Sequence, residues 1–129
     1  MIGLQAGVWI DHRKAVIVLV SDAGEQVQVI KSEMEKHVRF TGGRASEDGD
    51  TEDTRDRQFG LHLNRFYDRV IVLLRQADRI LIFGPGEAKN ELHKRLAQKG
   101  LKERLLPPES ADKLTDAQVR AKVRGQFPR

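Results

Sequence analysis

The chain contains no cysteine, which excludes disulfides, thiolate metal sites and a cysteine nucleophile. Aromatic residues amount to only 5%, with one Trp, one Tyr and five Phe. That is a poor supply for a platform that holds single-stranded nucleic acid by stacking on its bases. No apolar run approaches the roughly 18 residues of a membrane span, and the first residues lack the basic-then-apolar pattern of a signal peptide. These absences point to a cytoplasmic protein with no membrane partner. His12, His37, His62 and His93 stand apart without His-x-x-x-His spacing, so no metal is expected. There is no Gly-x-Ser-x-Gly elbow either, and no internal repeat.

Charge is what the sequence has in quantity. Of its 129 residues, 33% are charged, against about 25% in an ordinary globular protein. Lys plus Arg exceed Asp plus Glu by 23 − 19 = 4, and the isoelectric point is near 9.6. The length suits about one domain. The charge is segregated: residues 41–57 carry six acids, Glu47, Asp48, Asp50, Glu52, Asp53 and Asp56, against three arginines. Residues 89–129 carry eleven basic residues against five acids. A basic third of this kind either meets phosphate backbones or forms ordinary solvated helix faces.

Periodicity sets the expected elements. Gln5–Ile10 and Ala15–Val20 are rich in β-branched residues and are separated by the polar Asp11-His12-Arg13-Lys14, which suits a hairpin. Ser21-Asp22-Ala23-Gly24 is a second turn, and Val27, Val29 and Lys31 alternate after it. The spacing therefore predicts a three-strand antiparallel meander whose second strand is covered on both faces. From about Ser32 to Arg57 periodicity is lost, and a segment of this length without structure is usually functional or disordered. Phe59 to Ala77 has helical spacing, with the start of the helix expected within Thr54–Phe59. Arg79–Phe83 reads as a strand, Glu87–Lys99 as an amphipathic helix stopped by Gly100, and Leu101–Leu106 as a last strand before Pro107-Pro108. A terminal helix is expected over Thr115–Val123, with Thr115 as its N-cap. The fold class is thus α/β: a mixed sheet of about five strands with helices on its faces, compatible with a ribonuclease-H-like layout. Residues 1–110 form the α/β domain, with a mobile loop at about 33–57, and residues 111–129 form a basic helix and tail.

Two segments could carry chemistry. Gly84-Pro85-Gly86-Glu87-Ala88-Lys89 lies where a strand meets a helix, and glycines there let a backbone approach an anion. Against that, Pro85 removes an amide donor, Glu87 repels phosphate and the P-loop spacing is missing. Gly84, Pro85 and Gly86 are read first as a structural turn, with Lys89 as a candidate phosphate contact. The second segment, Lys36-His37-Val38-Arg39-Phe40-Thr41-Gly42-Gly43-Arg44, sets paired glycines among cations and reads as either a phosphate-binding loop or a linker. A metal-dependent nuclease needs converging carboxylates. Asp11 ends the first strand, yet the following strands carry none and the acids of 47–56 fall in the expected loop. No catalytic residue is assigned.

The order of these pieces resembles a known family. Three strands, then Lys36-His37 and Gly42-Gly43, a long helix containing Arg65-Phe66-Tyr67, and a strand ending Gly84-Pro85-Gly86 with Lys89 beyond it are similar to the middle domain of the eukaryotic and archaeal peptide-release factor and of its ribosome-rescue relative Pelota. The similarity runs from about Gly7 to Leu106, in what would be a stand-alone translational protein of bacterial type. It implies a ribonuclease-H-like domain whose loop, in the release factor, carries a Gly-Gly-Gln motif that promotes peptidyl-tRNA hydrolysis. In Pelota that motif is absent and the strand-end Gly-Pro-Gly with a following Lys is typical. Here Gly42-Gly43 is followed by Arg44, and the next glutamine is Gln58, so the hydrolytic motif is incomplete. The chain also leaves no room for codon-reading or GTPase-binding domains.

The resemblance implies a translation-associated protein, partnered by the ribosome, ribosomal RNA or tRNA, that needs no cofactor. Lys36, His37, Arg39, Gly42, Gly43, Arg44 and Lys89 are its candidate RNA-binding residues. Two other readings stand beside it. One is a peptidyl-tRNA hydrolase-like rescue factor. The other is an interaction module whose acidic loop, Glu47 to Asp56, binds a basic protein or another copy of the chain.

Overall fold

The first two strands are apolar at nearly every position and the third alternates, and these segments pair as their pattern predicts. A computed structural model of the protein describes residues 3–32 and 52–128, with side chains described over 3–32 and 60–128. Strands β1 (Gln5–Ile10), β2 (Lys14–Ser21) and β3 (Gly24–Lys31) form the antiparallel meander. Strand β4 (Arg79–Gly84) then lies parallel to β1, and the two-residue β5 (Glu109–Ser110) lies parallel to β4. The sheet order is β3-β2-β1-β4-β5, a mixed five-strand sheet of the α/β class expected from the sequence. Helices α1 (Glu52–Leu74), α2 (Ala88–Leu96) and α3 (Asp116–Gln126) cover it.

Strand alternation divides the core into two layers. Val8, Ile10, Ile17, Ile80 and Ile82 face Phe66, Val70 and Leu92 of α1 and α2. Trp9, Val16, Val18, Leu81 and Phe83 face Val119, Val123 and Phe127 on the other side. The C-terminal helix is therefore part of the core. Its N-terminus has the expected cap: the Thr115 hydroxyl accepts from the Gln118 amide at 3.1 Å, and the Gln118 side chain accepts from the Thr115 amide at 2.9 Å, a closed capping box. The Trp9 indole is 1% exposed and donates to the Asp112 carbonyl at 3.1 Å, so it is a core residue.

Helices α2 and α3 end at Leu96 and Gln126 rather than at the expected Lys99 and Val123, and two further differences bear on the fold. Helix α1 begins at Glu52, ahead of the expected Thr54–Phe59, and so takes in the backbone of Glu52, Asp53 and Asp56. No glycine or proline interrupts residues 52–59, and acids in the first turn complement the positive end of a helix. The last strand is not Leu101–Leu106. After α2 the chain makes a wide turn over Ala97–Leu101, in which Gly100 takes φ +86°, and a tight turn over Lys102–Arg104. Leu105 makes one isolated bridge to Ile80, and pairing resumes only at Phe83 with Glu109. Pro107 and Pro108 have no N–H to give the ladder, and they absorb one extra residue before β5.

Candidate functional site

Several strand ends meet at one edge of the sheet. Trp9 pairs with Phe83, Ile10 with Ala15, and Lys14 with Lys31, so the ends of β1, β3 and β4 lie beside the β1–β2 hairpin. In open α/β sheets the carboxyl ends of parallel strands are where ligands bind. Asp11 holds the hairpin together, its Oδ1 accepting from the amides of Arg13 and Lys14 at 2.8 Å each. Its carboxylate is thereby committed to the backbone. Among the described residues no three His, Asp or Glu side chains converge to hold a metal.

Behind the hairpin, three elements meet on one carboxylate. Glu91 Oε1, on α2, accepts from the Tyr67 hydroxyl of α1 and from His12 Nε2 of the hairpin, the latter at 3.0 Å. Burial, then the hydrogen bond to Glu91 and its charge, push the Tyr67 phenol far above its ordinary range. Arg95 completes the seam between the helices, donating to Asn64 Oδ1 at 3.0 Å and Asp68 Oδ1 at 2.5 Å. Its guanidinium carbon also lies 5.9 Å from the Tyr67 ring centroid. These contacts lock hairpin, α1 and α2 together.

The Gly84-Pro85-Gly86 turn is explained by packing. A Cβ on Gly84 would lie 2.2 Å from the Ile10 carbonyl oxygen, so only glycine lets β4 leave the sheet so close to β1. Lys89 is 8% exposed, and its ammonium donates to the Gly86 carbonyl, closing the turn from within. Of the candidate RNA-binding residues, Lys89 is thus held on the turn that it follows. Lys36, His37, Arg39, Gly42, Gly43 and Arg44 lie outside the described residues.

A second group of charges lies on the α3 side. Glu25 accepts from Arg120 Nε at 2.6 Å and from Arg124 Nε at 2.7 Å. Hydrogen bonds from Arg124 and then Arg120 hold its carboxyl at about 2. Together with Lys122 to Glu109 at 2.9 Å, these pairs tie basic residues of the last third to the fold.

The Tyr67–Glu91–His12 contact could not be anticipated, because His12 and Glu91 are 79 positions apart and no spacing rule links them. The one available signal was a lone tyrosine within the apolar stripe of α1, since a buried phenol calls for a partner.

No protein-family model matches the chain, and no curated protein matches it. Solved structures do. The chain is similar to the Pelota protein of Thermoplasma acidophilum, with 18% identity and a TM-score of 0.58 over 96% of this chain and 32% of that one. It is also similar to the archaeal translation termination factor aRF1, with 16% identity and a TM-score of 0.54 over 95% of this chain and 39% of that one. The likeness is one of fold: this chain has the architecture of a Pelota- and release-factor-like domain and spans about a third of those proteins.

Proposed function

We propose that the protein works in translation, contacting ribosomal RNA or tRNA through phosphates and positioning itself there without hydrolysing peptidyl-tRNA. The observation that carries this reading is the fold likeness to Pelota and to a translation termination factor over nearly the whole chain. Arg44 in place of the motif glutamine supports a binding role over a hydrolytic one. The cations of the Lys36–Arg44 segment supply contacts of the kind that fix a protein on a nucleic acid without reading its sequence. Phosphate contacts of this type release counterions and weaken steeply with salt.

Purification of the tagged protein from its own cells, with and without nuclease, tests the proposal. Ribosomal components should accompany it at low salt and be lost after RNA digestion. Recovery of the same partners after complete RNA digestion would instead favour a protein contact. Recovery of no ribosomal component at low salt would remove the reading.

A further inference from the structure

The strand-end edge carries an arrangement that folding alone disfavours. Lys14 and Lys31 stand directly opposite each other on β2 and β3, and like charges at such positions repel. Arg13 adjoins them at the hairpin tip, where its carbonyl accepts from the Ser32 amide at 2.8 Å. Arg69 reaches round from α1, its Nη2 donating to the Lys31 carbonyl at 2.6 Å. Four cations thus gather where β3 ends, equal in formal charge to the whole chain's net +4.

Among the described residues these cations lack the carboxylate pairing found on four basic residues of α2 and α3. Arg95, Arg120, Lys122 and Arg124 each have a carboxylate partner. Among the described residues none of Arg13, Lys14 or Lys31 has one, and the nearby Asp11 carboxylate is taken by backbone amides. Lys14 lies over the Trp9 ring at 5.7 Å, and Arg13, Lys31 and Arg69 are exposed.

We infer that Arg13, Lys14, Lys31 and Arg69 form a phosphate-binding patch for an RNA backbone, and that the opposed lysines separate two neighbouring phosphates. The inference rests on the translational reading above and names the surface that would serve it. Charge complementarity selects the occupant, because two cations set opposite each other by the strand register, without carboxylate partners among the described residues, are stabilised by a polyanion with regularly spaced charges. A simpler role for Lys31 is to guard an edge strand against pairing with another chain. The two roles separate under charge reversal, since a glutamate guards an edge as well as a lysine does.

The test is fluorescence anisotropy of labelled tRNA, titrated with the full chain across a salt series, using wild type, K31E and the double variant K14E/K31E. K31E should keep the wild-type Tm or exceed it, because it turns a repelling pair into an attracting one. Its affinity for tRNA should nevertheless fall roughly tenfold at low salt, with the slope of log K against log salt shallower by about one per lost contact. The double variant should lose more. If wild type binds with a steep slope and neither variant changes it, the patch is wrong and the translational reading stands. If wild type does not bind tRNA at low salt, binding of polyglutamate that K14E/K31E abolishes would assign the patch to an acidic protein and overturn the inference. If neither polymer binds, the patch is likewise overturned. K31Q serves as the milder variant should reversal disturb folding.

Discussion

Gly84 lies so close to Ile10 that a side-chain carbon built on it would stand 2.2 Å from the Ile10 carbonyl oxygen. The obstacle is backbone, so a rotamer change cannot relieve it, and Gly84 also has φ +154°. Gly84→Ala should destabilise the protein by about 3 kcal/mol or more. Urea unfolding followed through the fluorescence of Trp9 measures this, and a loss under about 1 kcal/mol would contradict the close approach.

Tyr67 is the chain's one tyrosine, so phenolate absorbance reads it alone. Its folded value is raised, which means the native state holds the proton more tightly than the unfolded state. The stability this contributes is present below the unfolded value of about 10 and is lost as pH rises through and beyond it. Native protein should therefore show no phenolate at a pH where urea-unfolded protein is largely ionised. Tyr67→Phe should abolish the phenolate signal and cost about 1–2 kcal/mol.

Glu25 behaves in the opposite sense. Its carboxyl is held at about 2, well below the ordinary carboxylate range, so its stabilisation is complete above the unfolded value and disappears as pH falls from there through about 2. Glu25→Gln should cost about 1 kcal/mol near neutrality, since both arginine partners are partly solvated. Its stability should also depend less on pH than wild type across that acidic window. Parallel stability curves for the two proteins would contradict the assignment.

Lys89 separates turn closure from phosphate contact. Lys89→Met keeps most of the stem packing and removes the donor to Gly86. Stability should fall by about 1 kcal/mol, while affinity for tRNA should change less than twofold. A loss of RNA affinity as large as that of K31E would return Lys89 to the RNA surface.

The meander, the parallel β4 and the capped terminal helix were readable in the sequence because each rests on local chemistry. Alternation sets the faces of β1 to β3, and Thr115 with Gln118 forms a capping box from residues three apart. The last strand was misplaced because Leu101–Leu106 has the apolar content of a strand, whereas the pairing was decided by two prolines without donors. The hairpin–helix seam was beyond reach for a different reason. Glu91 looks like an ordinary helix-surface acid until the fold brings Tyr67 and His12 to it. Lys14 and Lys31 were equally ordinary cations in sequence, and only the β2–β3 register sets them opposite one another.

Sedimentation of the protein with purified ribosomes, at low and at high salt, bears most directly on the claim that this domain engages RNA by its phosphates. Co-sedimentation at low salt that declines steeply as salt rises is the predicted result. Protein left in the supernatant at low salt, or a bound fraction indifferent to salt, would contradict it.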